Sequence, residues 1–186
     1  MAAALLRRIN AGARLHRIHR RGHNAIFFGP LDDAPVARFD APDGSYKVLY
    51  AARSLETAFG ETLVRLPAIP HITSTAVQSR LHSELVPTRA LRLYPLLDSG
   101  VSAHGLSFTE LHGDVYVKTR EVSRVIHETT SADGILYTSR FDNQRCVAIF
   151  DRAAEAIKLG SRHDLVIGPA EAASLAGHFG KTYVEP

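Results

Sequence analysis

The chain has 186 residues, 45% hydrophobic and 22% charged, with a formal net charge of +3. This length suits one domain, residues 1–186, with a sizeable core, and no apolar run approaches the roughly 18–20 residues needed to span a bilayer. A single cysteine, Cys146, excludes an internal disulfide framework and a cysteine-rich zinc site, so a reducing, cytoplasmic setting is the default expectation.

In chain order, residues 1–31 come first, with six arginines (Arg7, Arg8, Arg14, Arg17, Arg20 and Arg21) and no acid. The rest of the chain then stands at −3, with 16 basic against 19 acidic residues, an asymmetry that points to an anionic ligand near the N-terminus. Leu15–His19 alternates weakly and predicts a short strand. Lys47–Ala51 is a compact apolar run after a turn and suits a buried strand. Ser54 offers an N-cap to a helix through about Arg65, with Leu55, Ala58, Phe59 and Leu63 on its core face. Ala90–Leu97 predicts another strand, closed by Asp98-Ser99-Gly100. A helix from about Thr119 to Glu128 carries Val122, Val125 and Ile126 on one face. After the Asp133-Gly134 turn, Ile135–Ser139 and Cys146–Phe150 predict a strand pair, in which Cys146 reads as a small core residue. Pro169 suits the first position of a last helix, Ala170 to about His178. The strands are scattered rather than alternating regularly with helices, which makes the fold class α+β.

Several motifs match the RES-domain family in order and spacing. They are Leu15-His16-Arg17, Ala37-Arg38-Phe39-Asp40, Val48-Leu49-Tyr50-Ala51-Ala52 and Thr57-Ala58-Phe59-Gly60-Glu61-Thr62, followed by Asp133 through Arg140 and by Cys146–Phe150. The chain resembles that family over about residues 14–152. The resemblance implies an ADP-ribosyltransferase-like split β-sheet core with flanking helices. It also implies an enzyme that consumes NAD⁺ as a toxin, by hydrolysis or by phosphorolysis with inorganic phosphate. Such chemistry needs cations for the pyrophosphate, a flat surface for nicotinamide and a carboxylate beside the oxocarbenium-like ribose, as in glycosidases. By resemblance, Arg17 and Arg38 hold the dinucleotide, Tyr50 stacks on nicotinamide, Glu61 is the catalytic glutamate, and Ser139 lines the nicotinamide side with Arg140 following it. Where many members carry Gly-Gly-Arg-Trp-Asn, this chain has Val36-Ala37-Arg38-Phe39-Asp40, which leaves the role of Asp40 open. The family further implies a helix-turn-helix antitoxin covering the active site and pairing into homodimers.

Taken singly, each residue has an ordinary reading. Arg17 and Arg38 suit surface cations, Tyr50 a core tyrosine, Glu61 the exposed face of an amphipathic helix, and Ser139 a strand-end hydroxyl bonded to backbone. His16, His19 and His23 are spaced like helical metal ligands, but a strand would point alternate residues to opposite faces, so no metal is expected. There is no Gly-x-Ser-x-Gly, no phosphate-binding Gly-Lys-Ser/Thr and no Rossmann fingerprint, so NAD⁺ is expected as substrate, with no redox cofactor. Two rivals stand beside this reading. One is mono-ADP-ribosyl transfer to a protein, which differs only in the acceptor. The other is a basic nucleic-acid-binding module, which lacks a binding motif and interleaved aromatics. An Arg-rich, acid-free start also fits a targeting peptide, but it runs unbroken into the residues assigned to the site.

Overall fold

The computed structural model describes residues 6–185. The strands are β1 (Arg7–Ile9), β2 (Leu15–Arg20), β3 (Val48–Ala52), β4 (His71–Thr73), β5 (Arg80–Pro87), β6 (Leu91–Pro95), β7 (Gly134–Thr138), β8 (Arg145–Phe150), β9 (Ile157–Leu159) and β10 (Thr182–Val184). The helices are α1 (Leu55–Leu63), α2 (Ser74–Gln78), α3 (Ser99–Ala103), α4 (Phe108–His112), α5 (Val117–Thr129) and α6 (Pro169–His178), with a 3₁₀ turn at Asp151–Ala156. Eight strands form one mixed sheet in the order β1-β6-β7-β8-β3-β2-β5-β9, and β10 pairs with β4 in parallel beside it.

Period-two alternation divides the core between the two faces of this sheet. Val48 and Ala52 of β3, Ile135 and Tyr137 of β7, and Cys146, Ala148 and Phe150 of β8 pack with Ala58 and Phe59 of α1, Val122 and Ile126 of α5, and Leu175 of α6. The intervening Leu49, Ala51, Val147 and Ile149 meet Leu15, Leu85, Leu91 and Ile157 on the other face. The fold is therefore mixed α and β with helices flanking a sheet, as the sequence pattern and the resemblance led us to expect.

The sheet opens between β2 and β3. These strands share a single register pair, His16↔Ala52, whereas β2 and β5 pair from Leu15↔Leu85 through Arg20↔Arg80. Farther along β3, Val48 exchanges both backbone hydrogen bonds with Gly29 (2.9 and 3.1 Å) instead of with β2. The unpaired stretch is the split that the resemblance implied, and it exposes strand backbone and side chains to a cleft.

Several elements depart from the sequence expectation. Ser54 does cap α1, accepting from the Thr57 amide at 3.2 Å, but the helix ends at Leu63 rather than Arg65. Asp98-Ser99-Gly100 does not merely close a strand: Ser99 and Gly100 open α3. On α5 the buried positions are Thr119, Val122, Ser123 and Ile126, with Val125 only half-buried. Ser123 takes an inner position because its hydroxyl is satisfied there, donating to the Phe39 carbonyl at 2.8 Å and accepting from the Tyr46 hydroxyl at 2.8 Å. β5 escaped the pattern because its buried residues include His82, Ser83 and Glu84, which are polar.

Candidate active site

A cavity of about 480 Å³ occupies the split, within the usual size range of small-molecule sites. β2 contributes Arg17, β3 Tyr50, the loop ahead of β3 Arg38, and α1 Glu61. Tyr116, the N-cap residue of α5, with Tyr137 of β7 and Cys146 of β8, completes the inner wall. Residues expected from distant parts of the sequence are thus brought together.

Arg17 sits where the β2–β3 ladder is missing. Its Nη1 donates to the Tyr50 carbonyl at 2.8 Å, supplying a bond that a paired strand would have made. Burial lowers its pKa to about 10, so it remains charged at neutral pH. Arg38 is only 7% exposed, with its guanidinium 5.6 Å from the Tyr116 ring centre and 5.9 Å from that of Tyr137. Neither arginine is the surface cation that its sequence context alone suggested.

Asp40 explains how Arg38 is presented. Its Oδ2 accepts from the Val36 and Ala37 amides at 2.9 and 2.6 Å, and its Oδ1 accepts from the Tyr50 hydroxyl at 2.9 Å. The Tyr50 hydroxyl in turn accepts from the Phe39 amide at 2.9 Å, while Arg120 Nε donates to the Ala37 carbonyl at 3.0 Å. The loop carrying Arg38 is therefore pinned on both sides. Burial, and then the Asp40 charge, push the Tyr50 hydroxyl's pKa far up; its hydrogen bonds to Asp40 and from the Phe39 amide occupy that hydroxyl, and Tyr50 lines the cavity.

Glu61 projects from α1, which its capped first turn holds in place. Thr57 Oγ1 donates to Asp142 Oδ2 at 2.7 Å, tying that turn to the β7–β8 connection. Burial raises the Cys146 thiol well above its ordinary pKa, and the Glu61 charge adds to the effect. A neutral, buried thiol is a poor nucleophile, so Cys146 serves as wall, in keeping with its reading as a core residue.

Four buried side-chain polar atoms lack a hydrogen-bond partner among the described residues: Arg17 Nε, Arg38 Nε, Arg80 Nε and Glu61 Oε1. All four residues line this cavity. Buried polar groups are normally satisfied, and exceptions concentrate where function needs them. Glu61 is the only carboxylate among the lining residues, against five arginines. The lining therefore carries an excess of positive charge around one carboxylate, a distribution that suits an anionic ligand.

Ser139 and Arg140 lie elsewhere. Ser139 is buried at 1% exposure in the β7–β8 connection, where its Oγ accepts from the Phe141 amide at 3.1 Å and its amide donates to the Gln144 carbonyl at 2.8 Å. Arg140 donates to Asp114 Oδ1 at 2.6 Å and to the His112 carbonyl at 3.2 Å, and lies over the Phe141 ring. Neither is among the residues that line the cavity. A tight hairpin connection must satisfy its own backbone, and that need holds Ser139 in place.

The N-terminal histidines lie along this edge without forming a metal cluster. His16 Nδ1 and His82 Nε2 are 3.1 Å apart with stacked rings. His19 Nε2 meets Ser83 Oγ at 3.0 Å. Among the described residues no group of three His, Cys, Asp or Glu could hold a metal ion, and no helix is long and apolar enough to cross a membrane. Sequence reasoning assigned no role to Tyr116, Tyr137, Arg65 or Arg80. Arg65 lies close to Glu61 in sequence, at the end of the helix expected after Ser54, although α1 ends at Leu63, whereas Tyr116 and Arg80 reach the site only through tertiary folding.

The family described as the RES domain matches residues 14–167, somewhat farther than the motifs alone reach. The fold is similar to a chain of the crystal structure of the M. tuberculosis MbcT–MbcA toxin–antitoxin complex, with a TM-score of 0.70 and 16% sequence identity over 90% of this chain and 91% of that one. At that identity the likeness is one of fold. No curated protein matches the sequence.

Proposed function

The chain belongs to the RES-domain family, and from that premise we propose that it cleaves NAD⁺ between nicotinamide and ribose. The observation that carries this reading is the set of unpartnered arginine nitrogens and one unpartnered glutamate oxygen in the same buried cavity. Arg17 and Arg38 take the pyrophosphate oxygens, and the Tyr50 ring stacks on nicotinamide. Glu61 accepts from a ribose hydroxyl and stabilises the positive charge that grows on the sugar as the bond lengthens. Nicotinamide leaves neutral with the bonding electron pair. An oxygen of the acceptor bonds to the anomeric carbon and gives up its proton. Water as acceptor gives ADP-ribose, and inorganic phosphate gives the phosphorylated sugar. Ser139 and Arg140 support the site by holding the β7–β8 connection to which α1 is tied. NAD⁺ is substrate here, with no redox cofactor.

The likeness in fold to a toxin–antitoxin complex supports a biological role as a toxin. We extend this to a helix-turn-helix antitoxin that covers the cavity, to homodimer formation and to action in the cytoplasm. The deciding experiment is product analysis after purified protein is incubated with NAD⁺, with and without phosphate. Free nicotinamide is expected in step with ADP-ribose or its phosphate. Growing absorbance at the NADH wavelength without free nicotinamide overturns the reading, and ADP-ribose recovered only on protein moves it to the transferase alternative.

A further inference from the structure

Gly60 stands inside α1, one residue before Glu61. Glycine weakens a helix interior, so its place there calls for a reason. A Cβ on Gly60 would lie 2.7 Å from Phe179 Cζ, 2.9 Å from Phe179 Cε1 and 3.4 Å from Phe141 Cβ. The α1 backbone is thus seated directly on the far edge of the Phe179 ring. Helical periodicity puts Thr57, Gly60 and Val64 on one face, whereas Ala58, Glu61 and Thr62 line the cavity. Thr57 on that first face is tied to Asp142, so the helix is gripped by Asp142, Phe141 and Phe179 from a side that leaves Glu61 turned to the cavity.

Phe179 is itself anchored. It is the C-cap residue of α6, its amide donates to the Ala176 carbonyl at 3.0 Å, and α6 buries Ala172, Leu175 and Ala176. Beyond it, Lys181 Nζ donates to the Pro67 and Ile69 carbonyls, and β10 pairs with β4. The ring is half-buried against the core on this face of the sheet, with the His178 ring edge-on to it at 4.9 Å, so it is not free to swing away. Phe179, most of α6 and all of β10 lie beyond residue 167, where the family match ends.

We propose that Phe179 is a positioning residue for Glu61: a stop, set against α1 by the C-terminal segment, that fixes how far the carboxylate reaches into the cavity. A reacting group must be held within a fraction of an ångström by the packing around it, and a misplacement of about 1 Å costs about a hundredfold in rate. Removing the ring leaves a void beside Gly60 into which α1 can settle, drawing Glu61 back. A methyl group on Gly60 pushes the helix off the ring in the other direction. The purpose of this stop rests on the proposed role of Glu61 in NAD⁺ cleavage, while its geometry can be tested alone.

The test compares Phe179→Leu, Gly60→Ala, their double variant and Leu91→Val, all assayed below their melting points. Phe179→Leu and Gly60→Ala should each lower kcat for nicotinamide release by about tenfold, with KM for NAD⁺ unchanged, because the arginines proposed to hold the substrate sit on other elements. Leucine lacks the two ring atoms that a Cβ on Gly60 would strike, so the double variant should turn over faster than either single one. Leu91→Val, in the core on the other face of the sheet, should lower Tm and leave kcat alone. A lower Tm with unchanged kcat in either single variant, or additive losses in the double one, overturns the proposal. A second readout needs no NAD⁺. The ¹³C resonance of the Glu61 carboxyl, identified by its absence in Glu61→Gln, should shift in both single variants, return toward the wild-type position in the double variant and stay in place in Leu91→Val. A resonance that ignores the single variants also overturns the proposal. If the wild type releases no nicotinamide but the resonance follows this pattern, the stop stands and the NAD⁺ reading falls; nicotinamide release with an unmoved resonance does the reverse.

Discussion

Glu61 and Arg38 are the side chains on which the proposed chemistry depends most directly. Glu61→Gln is nearly isosteric and removes the charge that would stabilise an oxocarbenium-like ribose. It should retain the fold while kcat falls by about 10²–10³, and circular dichroism with steady-state nicotinamide release checks both. Near-normal turnover in a folded variant removes Glu61 from the mechanism. Arg38→Lys keeps the charge but loses the planar fork and its cation–π contacts with the Tyr116 and Tyr137 rings. A loss of about 1.5–3 kcal/mol in binding is expected, read as a raised KM, with a lower kcat where the contact tightens in the transition state. Arg8→Lys, by contrast, should be silent. An equal effect at both positions would mean a diffuse basic surface, and a salt-dependent DNA titration would then test the nucleic-acid alternative.

At the scale of elements, β7 and β8 approach each other closely at Gly134. Gly134 opens β7, and a Cβ there would lie 2.3 Å from the Ala148 carbonyl oxygen and 2.9 Å from the Ile149 Cα. Those are backbone atoms in the middle of the sheet and cannot swing aside. Gly134→Ala should therefore destabilise by about 1–3 kcal/mol, as overpacked cores do. At about 2–4 °C per kcal/mol for a chain of this size, the melting point should fall by several degrees, and an unchanged Tm would show that the strands can part at no cost. The preceding Asp133 helps seat the same strand. It accepts two hydrogen bonds from Arg89, at 2.8 and 2.9 Å, and one from the Arg92 amide at 2.8 Å. What reads in the sequence as a simple Asp-Gly turn is a braced strand start.

Across the whole molecule, buried and half-buried histidines set the response to acid. His16, His19, His82, His104, His112 and His127 all have pKa values lowered, with burial the first cause in each, and His82 is pushed down to about 4. Below the ordinary value of 6.5, the unfolded chain binds protons that the native state refuses, so stability falls with pH. For His82 that loss runs from about pH 6.5 down to about 4. Asp133 extends it at lower pH. Burial would raise that carboxyl's pKa, but Arg89 and the Arg92 amide hold it below the ordinary carboxylate value. Its contribution is present above the unfolded pKa and is lost as pH drops through the folded one. The urea midpoint should therefore decline between pH 7.5 and 5, with a shallower decline in His82→Gln. A flat midpoint over that range would show that the buried rings take up protons without cost.

The local elements were legible because short-range physics sets them. Ser54 caps α1, alternation marks β3, β7 and β8, and Pro169 starts α6 wherever the rest of the chain goes. Residue types in order also carried the family resemblance, and with it Arg17, Arg38, Tyr50 and Glu61, which the fold does gather in one cavity. Tertiary structure decided what no local pattern encodes. The β2–β3 ladder breaks after one pair, which leaves the Tyr50 carbonyl to the half-buried Arg17, and Arg38 is buried near the Tyr116 and Tyr137 rings rather than standing as a surface cation. Asp40 becomes the brace of the Arg38 loop because its carboxylate meets three donors at once. Ser139 and Arg140 end in a hairpin connection outside the cavity lining, although their motif groups them with the site. Arg80 meets Arg20 only through strand register, and Tyr116 meets Arg38 only because α5 begins beside the loop. Such encounters depend on long-range pairing and on which polar groups find partners after the chain has closed, and linear spacing carries neither.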